Sequence, residues 1–318
     1  MKKGVRVVDF KKFRGRSMVS LHDYTPREIL AILDFADELK ADFKAGRAGR
    51  YLEGKVLAMI FQKKSTRTRV SFEAGMHQLG GGALYLSAAD MQLGRGETVA
   101  DTARVLSRYC DGIMARVYSH RDILELAGCA SVPVINGLSD LLHPCQVLAD
   151  LQTIREKKGK FKGLRLAYVG DGNNMAHSLM FGCAKVGMDC VVVHADGYAP
   201  DADVVKLAKE DAAGTGAEIA VTTELSAAGG ADVLYTDVWA SMGQEEEHEA
   251  RVKVFMPYQL NDRLVARARP DCIVMHCLPA HRGEEITDSV VDGPRSVVFD
   301  QAENRLHSQK ALLVLLIG

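Results

Sequence analysis

The sequence lacks an excess of either charge. Its 318 residues include 40 Lys and Arg and 41 Asp and Glu, which gives a formal net charge of -1. This balance gives no indication of a nucleic acid or a membrane surface as a partner. A hydrophobic content of 47% is ordinary for a globular protein, and the chain is long enough for two domains with separate cores.

The chain also lacks a Cys-x-x-Cys pair and a long apolar run. Its seven cysteines are an odd number without that spacing, which argues against a disulfide framework or a zinc site. The apolar stretch at residues 311–317 is far too short to cross a membrane. The basic residues of the N-terminal segment are not followed by an apolar run, so we expect no transit peptide. These features predict a protein of the reducing cytoplasm.

Short apolar runs alternate with segments of helical periodicity along the whole chain. The first helix is predicted over residues 26–44, where Thr25, Pro26 and Glu28 form a start signal. Further helices are expected at 98–109, 145–156, 175–186 and 202–212. Strands are expected at 56–61, 82–86, 112–117, 132–135, 164–169, 190–194, 219–222, 233–236, 272–275 and 297–299. The fold class is therefore α/β, with two domains that each hold a mainly parallel sheet flanked by helices. The basic turn at 157–163 is the best candidate for the boundary.

A hydroxyl-rich turn with an arginine follows the first predicted strand and precedes a helical segment. It reads Ser65-Thr66-Arg67-Thr68-Arg69. Unpaired N–H groups at such a helix start attract an anion, and the hydroxyls and the guanidinium add donors. The simpler alternative is an ordinary helix cap by Ser65 or Thr68. The position of Arg67 between two threonines favours a phosphate site, although the glycines of a P-loop are missing.

Other polar groups follow the ends of predicted strands, which is where open α/β sheets bind ligands. They are Arg116, His143 with Gln146, Asp171-Gly172-Asn173-Asn174, Asp237-Val238-Trp239-Ala240-Ser241-Met242-Gly243 and His276-Cys277-Leu278-Pro279. Three of them have a simpler structural alternative: Arg116 as a surface ion pair, His143 as a cap or packed ring, and Cys277 as a small buried hydrophobe. The first half offers cations and hydroxyls suited to a phosphorylated substrate, and the second offers groups suited to an amino acid.

Four of these motifs together resemble the ornithine carbamoyltransferase family. They are Ser65-Thr66-Arg67-Thr68-Arg69, His143-Pro144-Cys145-Gln146, Asp237-Val238-Trp239-Ala240-Ser241-Met242-Gly243 and His276-Cys277-Leu278-Pro279, in that family's order over essentially the whole chain. The first two are shared with aspartate carbamoyltransferase, whereas the last two are typical of the ornithine enzyme. Gln62 is a mild departure, because the family usually has a glutamate there.

The resemblance implies a role for each matching residue. The carbamoyl phosphate site would comprise Ser65, Thr66, Arg67, Thr68, Gln92, Arg116, His143, Gln146, Cys277, Leu278 and Arg305, with Gln92 reaching a neighbouring subunit's site. Ornithine would be held by Asn174, Asp237, Ser241 and Met242. Cys277, Arg305, His143 and Asp237 would act in catalysis. No metal or organic cofactor is expected, because carbamoyl phosphate is already activated.

The resemblance also implies the arrangement of the whole molecule. We expect a carbamoyl phosphate-binding domain over residues 1–149, completed by a C-terminal helix at 303–318, and an ornithine-binding domain over 150–302. The basic unit would be a homotrimer, alone or in a larger assembly. We expect a biosynthetic role that makes arginine, with citrulline degradation as the alternative.

Two function classes compete with carbamoyl transfer. Residues 170–174 partly match a dinucleotide fingerprint, although Met175 replaces its third glycine, so a nicotinamide-dependent oxidoreductase is one alternative. A non-catalytic binding protein that has kept the fold is the other. Within the leading class, relatives that act on putrescine or acylated ornithine differ in the loop that holds Ser241 in this chain.

Overall fold

The computed structural model describes residues 10–47, 49–93, 96–240 and 245–318, and the chain divides into two compact units. The first unit contains the residues up to Val19, Arg27–Ser139 and Leu306–Gly318, and the second contains Ser20–Pro26 and Asp140–Arg305. None of the helices in the described segments is long and apolar enough to span a bilayer.

The first unit is built on a four-stranded parallel sheet in the order β2-β1-β3-β4. Its strands are β1 (Val56–Phe61), β2 (Gly82–Ser87), β3 (Gly112–Arg116) and β4 (Val134–Leu138), and its helices are α1 (Pro26–Lys44), α2 (Thr66–Gln78), α3 (Val99–Tyr109) and α4 (His120–Cys129). The central strands β1 and β3 are apolar and buried almost throughout, as expected for a parallel sheet covered on both faces.

The second unit is built on a five-stranded parallel sheet in the order β7-β6-β5-β8-β9. Its strands are β5 (Arg165–Val169), β6 (Asp189–Val193), β7 (Ile219–Thr222), β8 (Val233–Thr236) and β9 (Ile273–His276). Its helices are α5 (Pro144–Lys158), α6 (Asn174–Val186), α7 (Ala202–Ala213), α8 (His248–Phe255), α9 (Asp262–Val265) and α10 (Asp288–Val291). The strand order reverses between β5 and β8, so the carboxyl ends of these strands are the expected ligand-binding edge.

The last helix, α11 (Val298–Ile317), returns the chain to the first unit. Within that unit, Gly15 donates its N–H to the carbonyl of Leu316 at 3.0 Å, and Lys310 donates to Gln78 at 3.0 Å. The C-terminal helix was expected to complete the first domain, and this prediction is confirmed, together with the α/β class and the two parallel sheets.

One predicted strand is wrong. Residues 297–299 lead into α11, and Phe299 in its first turn is 69% exposed. A run of three apolar residues fits one helical turn as well as a strand, and the helical periodicity that continues to Ile317 decides between them.

The compact units meet in sequence between Ser139 and Asp140, before α5 begins. The functional limits of 1–149 and 150–302 therefore stay a prediction, with their boundary inside α5. The basic turn at 157–163 lies within the second compact unit.

Candidate active site

The hydroxyl-rich turn forms the N-terminus of α2. Ser65 is the N-cap, and its Oγ accepts the N–H of Thr68 at 3.2 Å. Ser65 Oγ also donates to the hydroxyl of Thr68 at 3.1 Å. The first turn of a helix leaves N–H groups without intrahelical acceptors, and here they open beyond the carboxyl end of a buried strand. Ser65 is therefore a helix cap, and anion binding by this turn stays a prediction.

The two arginines of this turn differ in their surroundings. Arg69 is exposed, lies 3.2 Å from Glu73 and stacks on the ring of Tyr85, with 3.8 Å from the guanidinium carbon to the ring centroid. Arg67 is half-buried at the second position of α2. Arg67 is therefore the more enclosed of the two arginines, and Arg69 is the one turned to the surface.

Arg116 lies at the same edge of the sheet as this turn. It is the last residue of β3, pairs in register with Phe61 of β1, and is 8% exposed. Its carbonyl accepts the N–H of Gln62 at 2.9 Å, which joins the ends of the two strands. Burial excludes the alternative of a solvated surface arginine.

Gln62 uses both ends of its side-chain amide. Its Nε2 donates to Asp122 at 3.0 Å, and its Oε1 accepts the N–H of Tyr118 at 2.8 Å. A glutamate at this position could not donate to Asp122 and would place two carboxylates in contact. Glutamine in place of the family's usual glutamate therefore suits its two neighbours, Tyr118 between β3 and α4 and Asp122 in the first turn of α4.

Gln92 is exposed, on the loop after β2. Its carbonyl accepts the N–H of Glu97 at 3.4 Å, and Leu93 forms a bridge with Glu97. Gln92 and Leu93 therefore both contact Glu97, and residues 94 and 95 lie outside the described residues.

In the second unit, His143 directly precedes Pro144, the first residue of α5. It is 5% exposed, and its N–H donates to the Oγ of Ser178 on α6 at 2.7 Å. Proline without an N–H is well suited to this first helical position. The side chain of His143 makes no capping hydrogen bond, so the interpretation of this ring as a helix cap does not hold.

Gln146 and Arg305 belong to a buried polar network. Arg305 donates to Gln146 Oε1 at 2.7 Å, and Gln146 Nε2 donates to Asp150 Oδ1 at 2.8 Å. Gln301 also donates to Asp150 Oδ1 at 2.8 Å, and the Tyr235 hydroxyl donates to Asp150 Oδ2 at 3.1 Å. Asp150 therefore fixes the orientation of the Gln146 amide, a role that was not predicted from the sequence.

The electrostatics of this network are set by burial. Burial raises the pKa of Asp150 to about 7, although hydrogen bonds from Gln146, Gln301 and Tyr235 and the charge of Arg305 oppose the shift. The neighbouring Cys145 is fully buried, which raises the pKa of its thiol to about 12. Cys145 is therefore a packed thiol, whereas Cys277 is partly exposed.

Asp237 and Cys277 meet just beyond the carboxyl ends of the adjacent strands β8 and β9. The Cys277 thiol donates to Asp237 Oδ1 at 2.9 Å, and the N–H of Val238 donates to the same oxygen at 2.8 Å. Asn173 donates its Nδ2 to Asp237 Oδ2 at 3.1 Å. Cys277 is therefore a hydrogen-bond donor at this site rather than an isolated packed residue.

Asn173 belongs to the candidate segment 171–174, but no role in the site was predicted for it. Its Oδ1 caps α6 by accepting the N–H groups of Met175 and Ala176, while its Nδ2 holds Asp237. Asn174 is the first residue of α6 and is half-buried beside this array. An asparagine before an apolar helix is the sequence signal that could have identified the cap.

Leu278 has a left-handed backbone, with φ 57°. A bulky residue rarely adopts this conformation, and surrounding contacts must hold it there. Its N–H donates to His276 Nδ1 at 2.8 Å, and His276 Nε2 lies 3.1 Å from Glu285 Oε1. Since Nδ1 accepts, the proton of the neutral ring is on Nε2 and points to Glu285. His276 and Glu285 are both fully buried, so the His276–Glu285 pair orients the Leu278 peptide.

The loop between β5 and α6 does not offer the space of a dinucleotide site. A Cβ at Gly172 would lie 2.3 Å from the nitrogen of Pro200, and the Gly172 N–H donates to the Tyr198 carbonyl at 3.0 Å. The close approach that a pyrophosphate needs at this glycine is taken by the chain's own backbone. This observation disfavours the nicotinamide alternative.

Asp171 is a buried acidic residue near the second-unit site. It forms an ion pair with Arg251, yet burial raises the pKa of Asp171 to about 6 against the opposing charge of Arg251.

Two residues predicted for the ornithine site, Ser241 and Met242, lie outside the described residues.

Two groups of side chains in the described segments bring three metal-ligating atoms within 4.8 Å of one another. One group is Asp237, His276 and Cys277, where the His276 nitrogens are already engaged by Leu278 and Glu285. The other group is His248, His281 and Glu284.

Comparison with known proteins covers nearly the whole chain. Residues 16–156 match the model of the aspartate/ornithine carbamoyltransferase carbamoyl-P binding domain, and residues 162–316 match that of the Asp/Orn binding domain. Ornithine carbamoyltransferase of Thermococcus kodakarensis is 61% identical over 305 residues, which are 96% of this chain and 97% of that protein. The anabolic ornithine carbamoyltransferase of Pyrococcus furiosus is also 61% identical, over 96% of this chain and 97% of its own length.

A solved structure gives the same result. Ornithine carbamoyltransferase from Pyrococcus furiosus superposes with a TM-score of 0.94 and 60% identity, covering 96% of this chain and 98% of that one. The identity and coverage show more than a shared fold. The chain belongs to the aspartate/ornithine carbamoyltransferase family.

Proposed function

We infer that the chain is a transferase that moves the carbamoyl group of carbamoyl phosphate to the δ-amine of L-ornithine, giving L-citrulline and phosphate. Relatives at about 60% identity carry the name ornithine carbamoyltransferase. The observation that carries the assignment is the Asp237–Cys277 contact at the ends of β8 and β9, because it joins the two motifs typical of the ornithine enzyme. One relative is named anabolic, which supports a role in arginine biosynthesis.

Carbamoyl phosphate is proposed to bind through its phosphate. Ser65, Thr66, Arg67 and Thr68 at the start of α2 and Arg116 at the end of β3 supply donors and positive charge from one edge of one sheet. A helix N-terminus and a guanidinium fork both favour a phosphate dianion. The same groups stabilise the phosphate as it leaves.

The carbamoyl group is proposed to meet the second-unit residues His143, Gln146 and Arg305. As charge develops on the carbamoyl oxygen, His143 and Arg305, with Thr68, act as preorganised donors. The buried contacts of Gln146 with Arg305 and Asp150 support the role of Arg305, since they leave little rotational freedom to its side chain. Leu278 contributes its carbonyl near the reacting carbon.

Ornithine is proposed to bind through Asn174, Asp237, Ser241 and Met242. Its α-ammonium is matched to the Asp237 carboxylate. Its δ-amine resembles that of lysine, with an ordinary pKa of about 10.4, so it must lose a proton before it attacks. Asp237 and Cys277 orient this amine. After its proton has passed to solvent, the neutral amine attacks the carbamoyl carbon, the bond from that carbon to the phosphate oxygen breaks, and a second N–H proton is taken up by the leaving phosphate.

The proposed assembly is a homotrimer, alone or as part of a larger assembly of trimers, with Gln92 of each chain reaching the site of a neighbour. The exposure of Gln92 on the loop after β2 supports this role. The proposed location is the cytoplasm, whose reducing conditions suit the free thiols at all seven cysteines.

The assignment is tested by measuring citrulline formation from carbamoyl phosphate with ornithine, and carbamoylation of putrescine, aspartate and N-acetylornithine in parallel. Turnover is expected with ornithine and only background with the other three. Faster turnover of one of those three would make that compound the assigned substrate instead of ornithine. No turnover with any of the four compounds would favour a non-catalytic protein. Titration with NAD and NADH, followed by fluorescence, is expected to show no binding.

A further inference from the structure

Two histidines and one glutamate lie together in the second unit, apart from the groups proposed to bind substrate. The distance from His248 Nε2 to Glu284 Oε2 is 3.1 Å, and that from His281 Nδ1 to the same oxygen is 3.6 Å. All three ligand atoms lie within 4.8 Å of one another. Three different side chains therefore direct their donor atoms to one point.

These separations match the edges of a metal coordination polyhedron. Zinc binds imidazole nitrogen and carboxylate oxygen at about 2.0–2.2 Å, so neighbouring ligands of a tetrahedral site lie about 3.3–3.6 Å apart. The two nitrogen-to-oxygen distances, 3.1 and 3.6 Å, lie close to that range, and the two histidine nitrogens are within 4.8 Å of each other. Two imidazoles and one carboxylate also form a donor set that suits a divalent transition metal.

The ligands come from two parts of the second unit, the helix α8 and the segment between β9 and α10. His248 is the first residue of α8. Glu284 follows a turn in which its N–H donates to the His281 carbonyl at 2.9 Å, and its own carbonyl accepts Gln259 Nε2 at 2.9 Å. The spacing of His281 and Glu284 is thus fixed by backbone contacts that do not depend on an ion.

The surrounding charges favour a cation. Glu246, Glu247 and Glu249 flank His248 in the sequence, and Glu246 and Glu247 are exposed. The one arginine between His281 and Glu284 is directed elsewhere, because Arg282 pairs with Asp288 at 2.7 Å and with Asp292 at 2.5 Å. Arg251, on the same helix as His248, pairs with Asp171 and lies 3.7 Å from Glu247. The remaining acidic neighbours, Glu246 and Glu249, raise the local concentration of metal ions.

We propose that His248, His281 and Glu284 form a binding site for a divalent transition-metal ion such as Zn²⁺, with water completing its coordination. The side chains are 38%, 43% and 29% exposed, so both the ion and the water have access. The bound ion joins α8 to the segment that follows β9, the strand that leads to Cys277. The site is independent of the carbamoyl transfer proposed above.

The first test is Zn²⁺ binding by equilibrium dialysis of the full-length protein. His281→Ala and Glu284→Gln are expected to weaken the binding more than about a hundredfold, because changes outside the ligand set alone cost about 10- to 100-fold. His77→Ala is the matched control, since His77 is also an exposed histidine but lies on α2. Equal affinity in wild type and His281→Ala, or no binding by wild type, would overturn the proposal.

The second test separates this site from Asp237, His276 and Cys277. Co²⁺ bound to two imidazoles and a carboxylate lacks the near-ultraviolet band of a cobalt–thiolate bond. Wild type and Cys277→Ser are therefore expected to give the same visible spectrum, which His281→Ala loses. A thiolate band that disappears in Cys277→Ser and persists in His281→Ala would place the ion at the other group and refute the assignment.

The third test measures the link between the two elements. Zn²⁺ is expected to raise the melting temperature of wild type and His77→Ala, since a ligand that binds only the folded state stabilises it. No increase is expected for His281→Ala or Glu284→Gln. Circular dichroism without metal shows whether the variants are folded, and the same increase in all four proteins would contradict the proposal.

Discussion

At the scale of single residues, the two arginines of the α2 start provide a matched pair. Arg67→Ala is expected to lower kcat/KM for carbamoyl phosphate at least about a hundredfold, because each charge-assisted hydrogen bond contributes roughly 1.5–3 kcal/mol and 1.36 kcal/mol is a factor of about ten in rate. Arg69→Ala is the control, since Arg69 already pairs with Glu73 and stacks on Tyr85. Steady-state kinetics of both variants measure kcat/KM for carbamoyl phosphate. Similar losses in the two variants would contradict the proposed role of Arg67 in phosphate binding.

Asp237 provides a second test, directed at ornithine. Asp237→Asn keeps an oxygen for the Cys277 thiol but loses the charge that pairs with the α-ammonium. Its KM for ornithine is expected to rise about tenfold or more, while the KM for carbamoyl phosphate changes little. Saturation curves for each substrate at a fixed excess of the other measure both constants. Equal changes in the two would show that Asp237 does not distinguish the substrates.

Asp150 gives a prediction about pH and stability. Its pKa is raised from 3.8 to about 7 by burial, so the folded protein binds this proton more tightly than the unfolded chain does. Stability linked to this proton is fully present below about pH 4 and is lost as the pH rises to about 7. Asp150→Asn should therefore gain in melting temperature relative to wild type between pH 5 and pH 8. A difference that stays constant over that range would contradict the shift.

Residue chemistry was predictable from the sequence where it depends on neighbours along the chain. The cap by Ser65 and the position of Arg116 at a strand end follow from local order. Asp150 could not be assigned, because its partners Tyr235 and Gln301 are distant in sequence and meet it only in the folded unit.

At the scale of elements, Gln62 joins the end of β1 to the start of α4. Gln62→Glu is expected to destabilise the protein by roughly 1–3 kcal/mol, because it removes a donor and brings two carboxylates together. Adding Asp122→Asn should restore most of this loss, since an asparagine can donate to the new glutamate. Chemical denaturation of the two single variants and the double variant gives the coupling energy. Additive effects would show that the side chains do not interact.

Most elements followed from apolar periodicity, and β1, β7 and β8 have the predicted limits. The conformation of the segment after β9 did not follow from the sequence, because it depends on contacts made in the folded protein. Nothing in the sequence indicates that Leu278 is left-handed or that His276 and Glu285 orient it. The strand predicted at 297–299 failed for the same reason, since a short apolar run does not define its own conformation.

At the scale of the whole molecule, the proposed trimer can be tested by mixing two inactive variants. Arg67→Ala chains keep Gln92, and Gln92→Ala chains keep Arg67. In a closed ring with head-to-tail interfaces, every mixed trimer has about one intact site in three. Refolding the two variants together should therefore restore substantial citrulline formation.

The control is each variant refolded alone, which is expected to stay nearly inactive. Hybrid formation is confirmed by differential tagging and native gel electrophoresis. If hybrids form and activity does not return, Gln92 serves its own chain and the shared site is refuted.

The path of α11 has a consequence for synthesis of the protein. The first unit contains residues near both ends of the described chain, whereas the second is formed mainly by the continuous stretch Asp140–Arg305. On the ribosome, the second unit therefore has all of its residues before the first unit receives Leu306–Gly318. Although the first sheet is translated earlier, its unit is the later one to be completed, and until then the apolar surface that awaits α11 needs protection from aggregation.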